Sequence, residues 1–342
     1  MNPKTMFKIP SVALLFLLLF RGPLEAQTDL GAHFLDYSWQ SGLSNPAWMP
    51  KHTFTIGLPG FSNDFGFTGF TLNDLLRASR GGSLEIDVLL NKLKSDNFIR
   101  EQLDAKTFYL GYSSDKFAIH FTHGFKFNFF FAFPESFPRL IWDGNAPYIG
   151  QEVDFAPDFQ ATVYQEVALG LAFRLNERVQ VGLRGKWLNG WSDVSIASGK
   201  NKLSLFTSED VYQLNMLANY RINHTGQIAY DGIDNFDFEL DTALPAGINS
   251  NSGWAVDLGA SFDLDPFIVS AGVLDLGQIS WSRDVGNLTL DGSYTFEGLD
   301  AVGDLLMDEG GESVAVLDSL EMFFDFVETQ ESYTTALPTR LY

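Results

Sequence analysis

The chain has 342 residues, no cysteine, and 22 basic against 43 acidic residues, for a formal charge of -21. That composition excludes a disulfide-stapled scaffold, a thiolate metal centre and a generally basic nucleic-acid binder. With 32 Phe, 11 Tyr and 7 Trp but a mean hydropathy of only -0.01, apolar residues must be sorted by position and not pooled into long runs, which excludes a polytopic helical membrane protein.

Residues 1–26 read as a secretory signal peptide. Lys4 and Lys8 precede the apolar run Val12 to Phe20, and the small residue Ala26 closes a cleavage-like ending. The run falls short of the ~20 apolar residues that span a bilayer, so export, and with it a place in the cell envelope, is the expectation. Residues 27–52 are irregular and end in Ser44-Asn45-Pro46-Ala47-Trp48-Met49-Pro50, a turn-rich segment expected to fold into the mouth or lumen of the following domain as a hatch. Strands are then expected at 53–59 and 63–70. A helical insertion follows near 72–103, where Ile86, Leu90 and Leu93 keep helical spacing and Ser95-Asp96-Asn97 offers an N-cap. Further strands fit 106–113 and 116–130, turning through Ser114-Asp115, before the Pro/Gly-rich loop from Pro134 to Pro157. The segments 159–175 and 179–191 form a hairpin through Asn176-Glu177-Arg178, and strands continue at 202–207, 211–222, 253–264, 267–274 and 279–290. From Leu299, apolar residues three or four apart predict a second, acidic helical insertion to 327.

The strands alternate at period two. Phe117, Ile119, Phe121, His123, Phe125, Phe127 and Phe129 share one face, with Ala118, His120, Thr122, Gly124, Lys126 and Asn128 on the other. Similar apolar rows run through Val167 to Leu175, Val179 to Trp187, Tyr212 to Ile222, and Trp254 to Leu264. These strands are about 10 to 14 residues long, against a mode of about 5 to 6 in ordinary sheets, and a tilted membrane-crossing strand needs about 9 to 11. Lipid offers no hydrogen-bond partner, so crossing strands must close on one another. The expected fold is therefore an all-β, antiparallel transmembrane β-barrel over 53–342, whose greasy alternate residues touch acyl tails and whose small or polar neighbours line a lumen. It is expected to be incomplete, with about 10 to 12 of about 14 strands present. Residues 336, 338 and 340, which should be apolar before a terminal aromatic such as Tyr342, are Ala, Pro and Arg, so Thr339 to Tyr342 reads as the opening of a further strand.

Little in the sequence carries chemistry. His120 and His123 fall on opposite strand faces and cannot share a metal, and no Walker loop, His-Glu-x-x-His or Gly-x-Ser-x-Gly motif is present. No catalytic residue, metal ligand or cofactor is assigned, and the chain is not expected to be an enzyme. Between Asp231 and Glu331 there are 22 acids and one base, Arg283; the oxygen-rich loop Asp231 to Glu239 lacks the sixth-position glycine of an EF-hand and reads as solvated acid. The candidate ligand-binding residues are the lumen-facing bases Lys126, Arg174, Arg184, Lys186 and Arg221, with Glu166, Asp257 and Asp263 as expected partners. They form either a polar track for a carboxylate-bearing ligand or ion pairs that fill the barrel.

Ser44-Asn45-Pro46-Ala47, Ile56-Gly57-Leu58-Pro59-Gly60, Gly69-Phe70-Thr71-Leu72-Asn73-Asp74, Gly144-Asn145-Ala146-Pro147-Tyr148-Ile149-Gly150, Val256-Asp257-Leu258-Gly259-Ala260 and Leu274-Asp275-Leu276-Gly277 occur in that order. Together they resemble an uncharacterised family of Bacteroidota outer-membrane β-barrels, a domain of unknown function, over roughly Ser44 to Tyr342. That family is distantly similar to the long-chain fatty-acid and toluene transporters, in which an Asn-Pro-Ala segment lies near an N-terminal hatch. The resemblance implies an outer-membrane location, lipid as a partner, and passive uptake of small hydrophobic molecules. The alternative is a non-transporting barrel that docks envelope or secretion proteins through its long loops.

Overall fold

The computed structural model describes residues 38–69, 71, 73–74, 86–209, 213–225, 228–230, 236–238, 251–296 and 327–342. The expected signal peptide, residues 27–37 of the expected hatch, most of the acidic insertion at 299–327 and most of the loop Asp231 to Glu239 lie outside them. The described chain is all-β and antiparallel, with a 14-stranded sheet that does not close. No helix among the described residues is long and apolar enough to cross a membrane.

β1 (Phe54–Gly57) and β2 (Gly60–Phe67) lie end to end along β3 (Asp96–Ser113), separated at Leu58-Pro59 because proline supplies no N–H to the ladder. The sheet continues through β4 (Phe117–Pro134), past β5 (Glu152–Asp154), to β6 (Asp158–Arg174) and β7 (Val179–Thr207). β7 is 29 residues long and forks the sheet. Its first half pairs with β11 (Ser252–Asp263), then β12 (Ile268–Trp281), then β15 (Tyr333–Ala336) and β16 (Arg340–Leu341). Its second half pairs with β8 (Leu214–Thr225), then β13 (Val285–Phe296) and β14 (Val327–Thr329), while β9 (Ile228–Tyr230) and β10 (Phe236–Phe238) make a separate two-stranded ribbon. Buried Asn251 staples the fork. Its Nδ2 donates to Thr225 Oγ1 and the Arg283 carbonyl, and its Oδ1 accepts from the Ser282 and Arg283 N–H groups.

Several expectations change in register. Of the helical stretch expected near 72–103, residues 72 and 75–85 lie outside the described ones, the described part holds a five-residue helix (Ile86–Leu90), and the expected N-cap at Ser95-Asp96-Asn97 instead opens β3, because pairing with β4 from Asp96↔Pro134 onward overrides local capping propensity. The separate strands expected at 179–191 and 202–207 are one, and the strand expected at 279–290 is split by the turn Ser282–Asp284, where Asp284 takes a φ of 52°. The hairpin turn at Asn176 forms as read: Asn176 Oδ1 accepts from the Arg178 N–H and the Leu175 N–H bonds the Val179 carbonyl.

The sheet is strongly curled. β4 and β12 are separated in it by β6, β7 and β11, which laid flat would put them roughly 19 Å apart at ~4.8 Å per strand. Lys126 of β4 nevertheless pairs with Asp275 of β12 at 3.3 Å. The concave face carries the polar set and is buried: Ala118, His120, Thr122 and Lys126 on β4 are each at most 6 % exposed. Their alternating neighbours Phe117, Ile119 and Phe121 are 36–40 % exposed on the convex face, with Leu169, Phe173, Leu183, Leu258 and Phe262 beside them at 45–50 %. Burial is thus inverted relative to a water-soluble sheet. The β8 row does not follow this pattern: Met216, Ala218 and Tyr220 pack with Leu290 beneath Phe155 and Ala156 in a dry core, because the segment after β5 covers them.

Candidate functional site

Near the hairpin-turn end of the curled sheet, the N-terminal segment lies inside it. A four-residue helix, α1 (Ser41–Ser44), leads into Asn45-Pro46-Ala47, all buried. Asn45 Nδ2 donates to the carbonyls of Ala260 on β11 and Ala271 on β12 at 3.2 Å each, while its Oδ1 accepts from the Ala47 N–H at 2.9 Å. The docking surface is a trough of three cross-strand glycines, Gly182, Gly259 and Gly272, in register on β7, β11 and β12. A Cβ at Gly182 would fall 2.1 Å from the Pro46 carbonyl oxygen, and one at Gly259 2.0 Å from Asn45 Oδ1. Backbone can approach this closely only where side chains are missing. Trp39 completes the seat by stacking on Tyr109 at 4.7 Å between ring centroids.

Beside this plug runs a belt of buried charge. Lys106 bonds Glu166 at 2.8 Å and Asp104 at 3.2 Å. Lys126 reaches Glu166 at 3.2 Å and Asp275 at 3.3 Å. Lys186 reaches Asp275 at 2.5 Å and Asp257 at 2.8 Å, Arg184 Nε meets Asp257 at 2.9 Å, and Arg340 meets Asp275 at 2.7 Å. Arg184 also ties belt to plug, donating from Nη2 to the carbonyls of Gly42 and Leu43. Desolvating so many charges is costly, and a belt of this kind persists because each of its lysines and carboxylates has two or more opposite partners. Removing one partner strands the others.

Of the bases singled out in sequence, Lys126, Arg184 and Lys186 meet in this belt, with Glu166 and Asp257 as partners. Arg174 and Asp263 do not; both are exposed where β6 and β11 run out of the sheet at the turn end, so the face they share with the belt no longer encloses anything. Arg221 lies on the other arm of the fork, bonded to Asn223 and to Glu331 at 2.8 Å. Lys106 and Asp275 escape the sequence pattern because strict alternation fails beside them. A bulge at Thr107 shifts the β3–β4 register after Lys106, and a bulge in β12 turns both Leu274 and Asp275 inward. Asp275 pays with a φ of 60°, its N–H bonded to Asp257 Oδ1 at 2.7 Å. The short strand β16 falls where Thr339 to Tyr342 is expected to open a strand, and its pairing with Val273 and Leu274 is what carries Arg340 to the belt.

Plug, belt and the β1–β2 edge border a cavity of about 480 Å³ that is open at that edge, where Ile56, Leu58 and Phe61 are exposed. Trp39, Leu43, Ile56, Leu58 and Phe61 form its apolar wall, and Lys106, Lys126, Arg184, Lys186 and Arg340 its charged wall. A second cavity of about 420 Å³ lies between β2 and the β15–β16 segment, so the two open edges of the sheet face each other across one space. His120 and His123 do lie on opposite faces: His120 is buried against Tyr109, and His123 bonds Thr107 and Gln165. Among the described residues no group of three or more His, Asp or Glu is arranged to hold a metal ion.

Residues 46–342 match the model of a family of unknown function, DUF5723, and the chain belongs to that family. Among curated proteins none matches, and among solved structures none does.

Proposed function

We propose that this member of the DUF5723 family is an outer-membrane β-barrel protein whose plugged interior passes small hydrophobic molecules. The observation that carries the reading is the inverted burial of the sheet: charge on the enclosed concave face, Phe, Leu and Ile on the exposed convex one. Two further features support it. The β3–β4, β6–β7 and β11–β12 hairpins all turn within a few residues at one end, whereas the long connection between β4 and β6 leaves the other end, which is the asymmetry of outer-membrane barrels. Aromatics also gather at two levels of the convex face. Phe117, Phe173 and Phe262 sit near the turns, and Phe125, Trp187 and Trp254 sit about eight residues further along their strands. That spacing is roughly 26 Å along the strand at ~3.3 Å per residue, or about 20 Å across the membrane at the 35–45° tilt of such strands, within the ~25 Å apolar band of such barrels.

The test is fractionation followed by reconstitution. The chain is expected in the outer-membrane fraction, extractable only by detergent, and in liposomes it should speed entry of a small hydrophobic solute. Recovery as a detergent-free periplasmic monomer would remove the reading. A docking role is favoured by one observation only: on the loop helix α3 (Ser136–Trp142, counting Ile86–Leu90 as α2), Ile141 is 72 % exposed and Trp142 52 %. Deleting that loop should abolish capture of an envelope partner if docking is the role, and leave solute entry intact.

A further inference from the structure

A third cavity lies at the fork, away from plug and belt. Between the pairs Ile196↔Ile222 and Asn201↔Tyr220, four residues of β7, Ala197 to Lys200, stand opposite the single Arg221 of β8, and Gly199 takes a φ of 73°. Extra residues bend a strand out of its ladder. The space left measures about 670 Å³ and opens past Ser198, Gly199 and Thr334, all exposed. That is within the ~300–1,000 Å³ of small-molecule sites.

One cross-strand row lines it: Phe130 of β4, Gln160 of β6, Ser195 of β7 and Asn223 of β8 pair in register on the concave face. Hydrogen bonding within the protein leaves this row with groups to spare. Asn223, 6 % exposed, accepts at Oδ1 from Arg221 Nε and Asn287 Nδ2, while its own Nδ2 donates to no described residue. Both partners are donors, and Asn287 is itself fixed by the Glu331 N–H at its Oδ1, so turning the Asn223 amide round would not employ that nitrogen. Ser195, 4 % exposed, donates to Asp193 and keeps its lone pairs; Gln160 donates from Nε2 to Thr162 and the Ala336 carbonyl and keeps Oε1. Thr335, also at the cavity, accepts from Trp281 and keeps its hydroxyl proton. The two cations here are already matched, Arg221 by Glu331 and Lys200 by Asp291, so an anion gains little. Donors and acceptors thus stand about 4.8 Å apart from strand to strand, beside the rings of Phe130 and Tyr333. A hydroxyl both donates and accepts at one atom, and a pyranose carries several of them on a ring whose C–H groups pack against the negative faces of aromatic rings.

We propose that the fork cavity binds a neutral saccharide, its hydroxyls on Asn223, Ser195 and Gln160 and one sugar face against Phe130. The row is on the concave face, away from the convex face assigned to lipid, so the sugar is free and not the headgroup of a lipid. The cavity is formed whether the convex face meets lipid or water, and absence of sugar binding leaves the membrane reading standing.

The full chain is purified in lauryldimethylamine oxide, a detergent without a sugar head, and titrated calorimetrically with maltotriose, cellotriose and chitotriose. Sulfate, putrescine and triglycine serve as anionic, cationic and amide controls. Saturable binding of about one molecule of at least one trisaccharide per chain is expected, with none of the controls bound. Asn223→Asp keeps the oxygen that Arg221 and Asn287 bond and loses only the free donor; it should weaken the sugar by about tenfold, as loss of one buried hydrogen bond does. Ser198→Trp fills the mouth from an exposed position, should weaken it at least as much, and decides the matter if Asn223→Asp fails to fold. A folded chain that binds none of the three sugars, binds a control as tightly, or binds sugar unchanged in either variant would overturn the proposal.

Discussion

Replacing Leu169 by Arg separates a membrane wall from a sheet in water more sharply than any other single change. Leu169 is 50 % exposed on the convex face of β6, between Phe121 of β4 and Gly185 of β7, and lies midway between the two aromatic levels. At the middle of a hydrocarbon layer an outward Arg costs about 2–4 kcal/mol. At ~1.4 kcal/mol per tenfold, that is a loss of about 30- to 700-fold in the folding equilibrium. On a surface facing water the same substitution changes stability by no more than about 0.5 kcal/mol, roughly twofold. Folding into short-chain phosphatidylcholine vesicles, titrated with urea and followed by the heat-dependent shift of the folded band on gels, measures the difference directly. Asn128→Arg is the control: Asn128 is on the concave face, half-buried at the wall of the 420 Å³ cavity, where the guanidinium has room and polar neighbours. Equal folding of Leu169→Arg and the parent would refute the assignment of the convex face to lipid.

Other expectations follow from the plug and the belt. Gly259→Ala or Gly182→Ala places a methyl within about 2 Å of Asn45 or Pro46 and should unseat the plug, read as new protease cleavage between Ser41 and Trp48 with the sheet still folded; the three Asn45 hydrogen bonds lost are worth about 3 kcal/mol together at ~1 kcal/mol each. Asp275→Asn keeps a residue that tolerates positive φ but leaves Lys126, Lys186 and Arg340 short of one carboxylate, and should cost about 3–5 kcal/mol in urea unfolding. Lys200→Met removes an exposed pair with Asp291 and should change stability by less than about 0.5 kcal/mol in the same assay. Trp281→Phe deletes the indole hydrogen bond to Thr335 and should cost about 1 kcal/mol, with faster hydrogen exchange along β15 as its signature.

The alternation of Phe117 to Phe129, of Val167 to Leu175 and of Trp254 to Leu264 was legible in one dimension because the two faces of a strand repeat every second residue. The same periodicity identified which bases turn inward on β4 and β7. It failed wherever the chain broke its own period. The bulge at Thr107 hid Lys106, and the bulge at Leu274 and Asp275 hid the carboxylate on which three cations converge. Alternation also said nothing about what covers a face, so the apolar row of β8 was read as lipid-facing when Phe155 and Ala156 lie over it.

By itself, then, the sequence determined the sorting of apolar from polar side chains, the Asn176 turn and the distinctness of the Asn-Pro-Ala segment, all properties of neighbours in the chain. Only the tertiary structure decided that Gly182, Gly259 and Gly272 form one trough, that Arg340 meets Asp275 across 65 residues of sequence, and that Arg174 stands outside the belt. Those facts depend on register between strands distant in sequence and on the curl of the sheet, which are set by pairing and packing over the whole wall and leave no local signature.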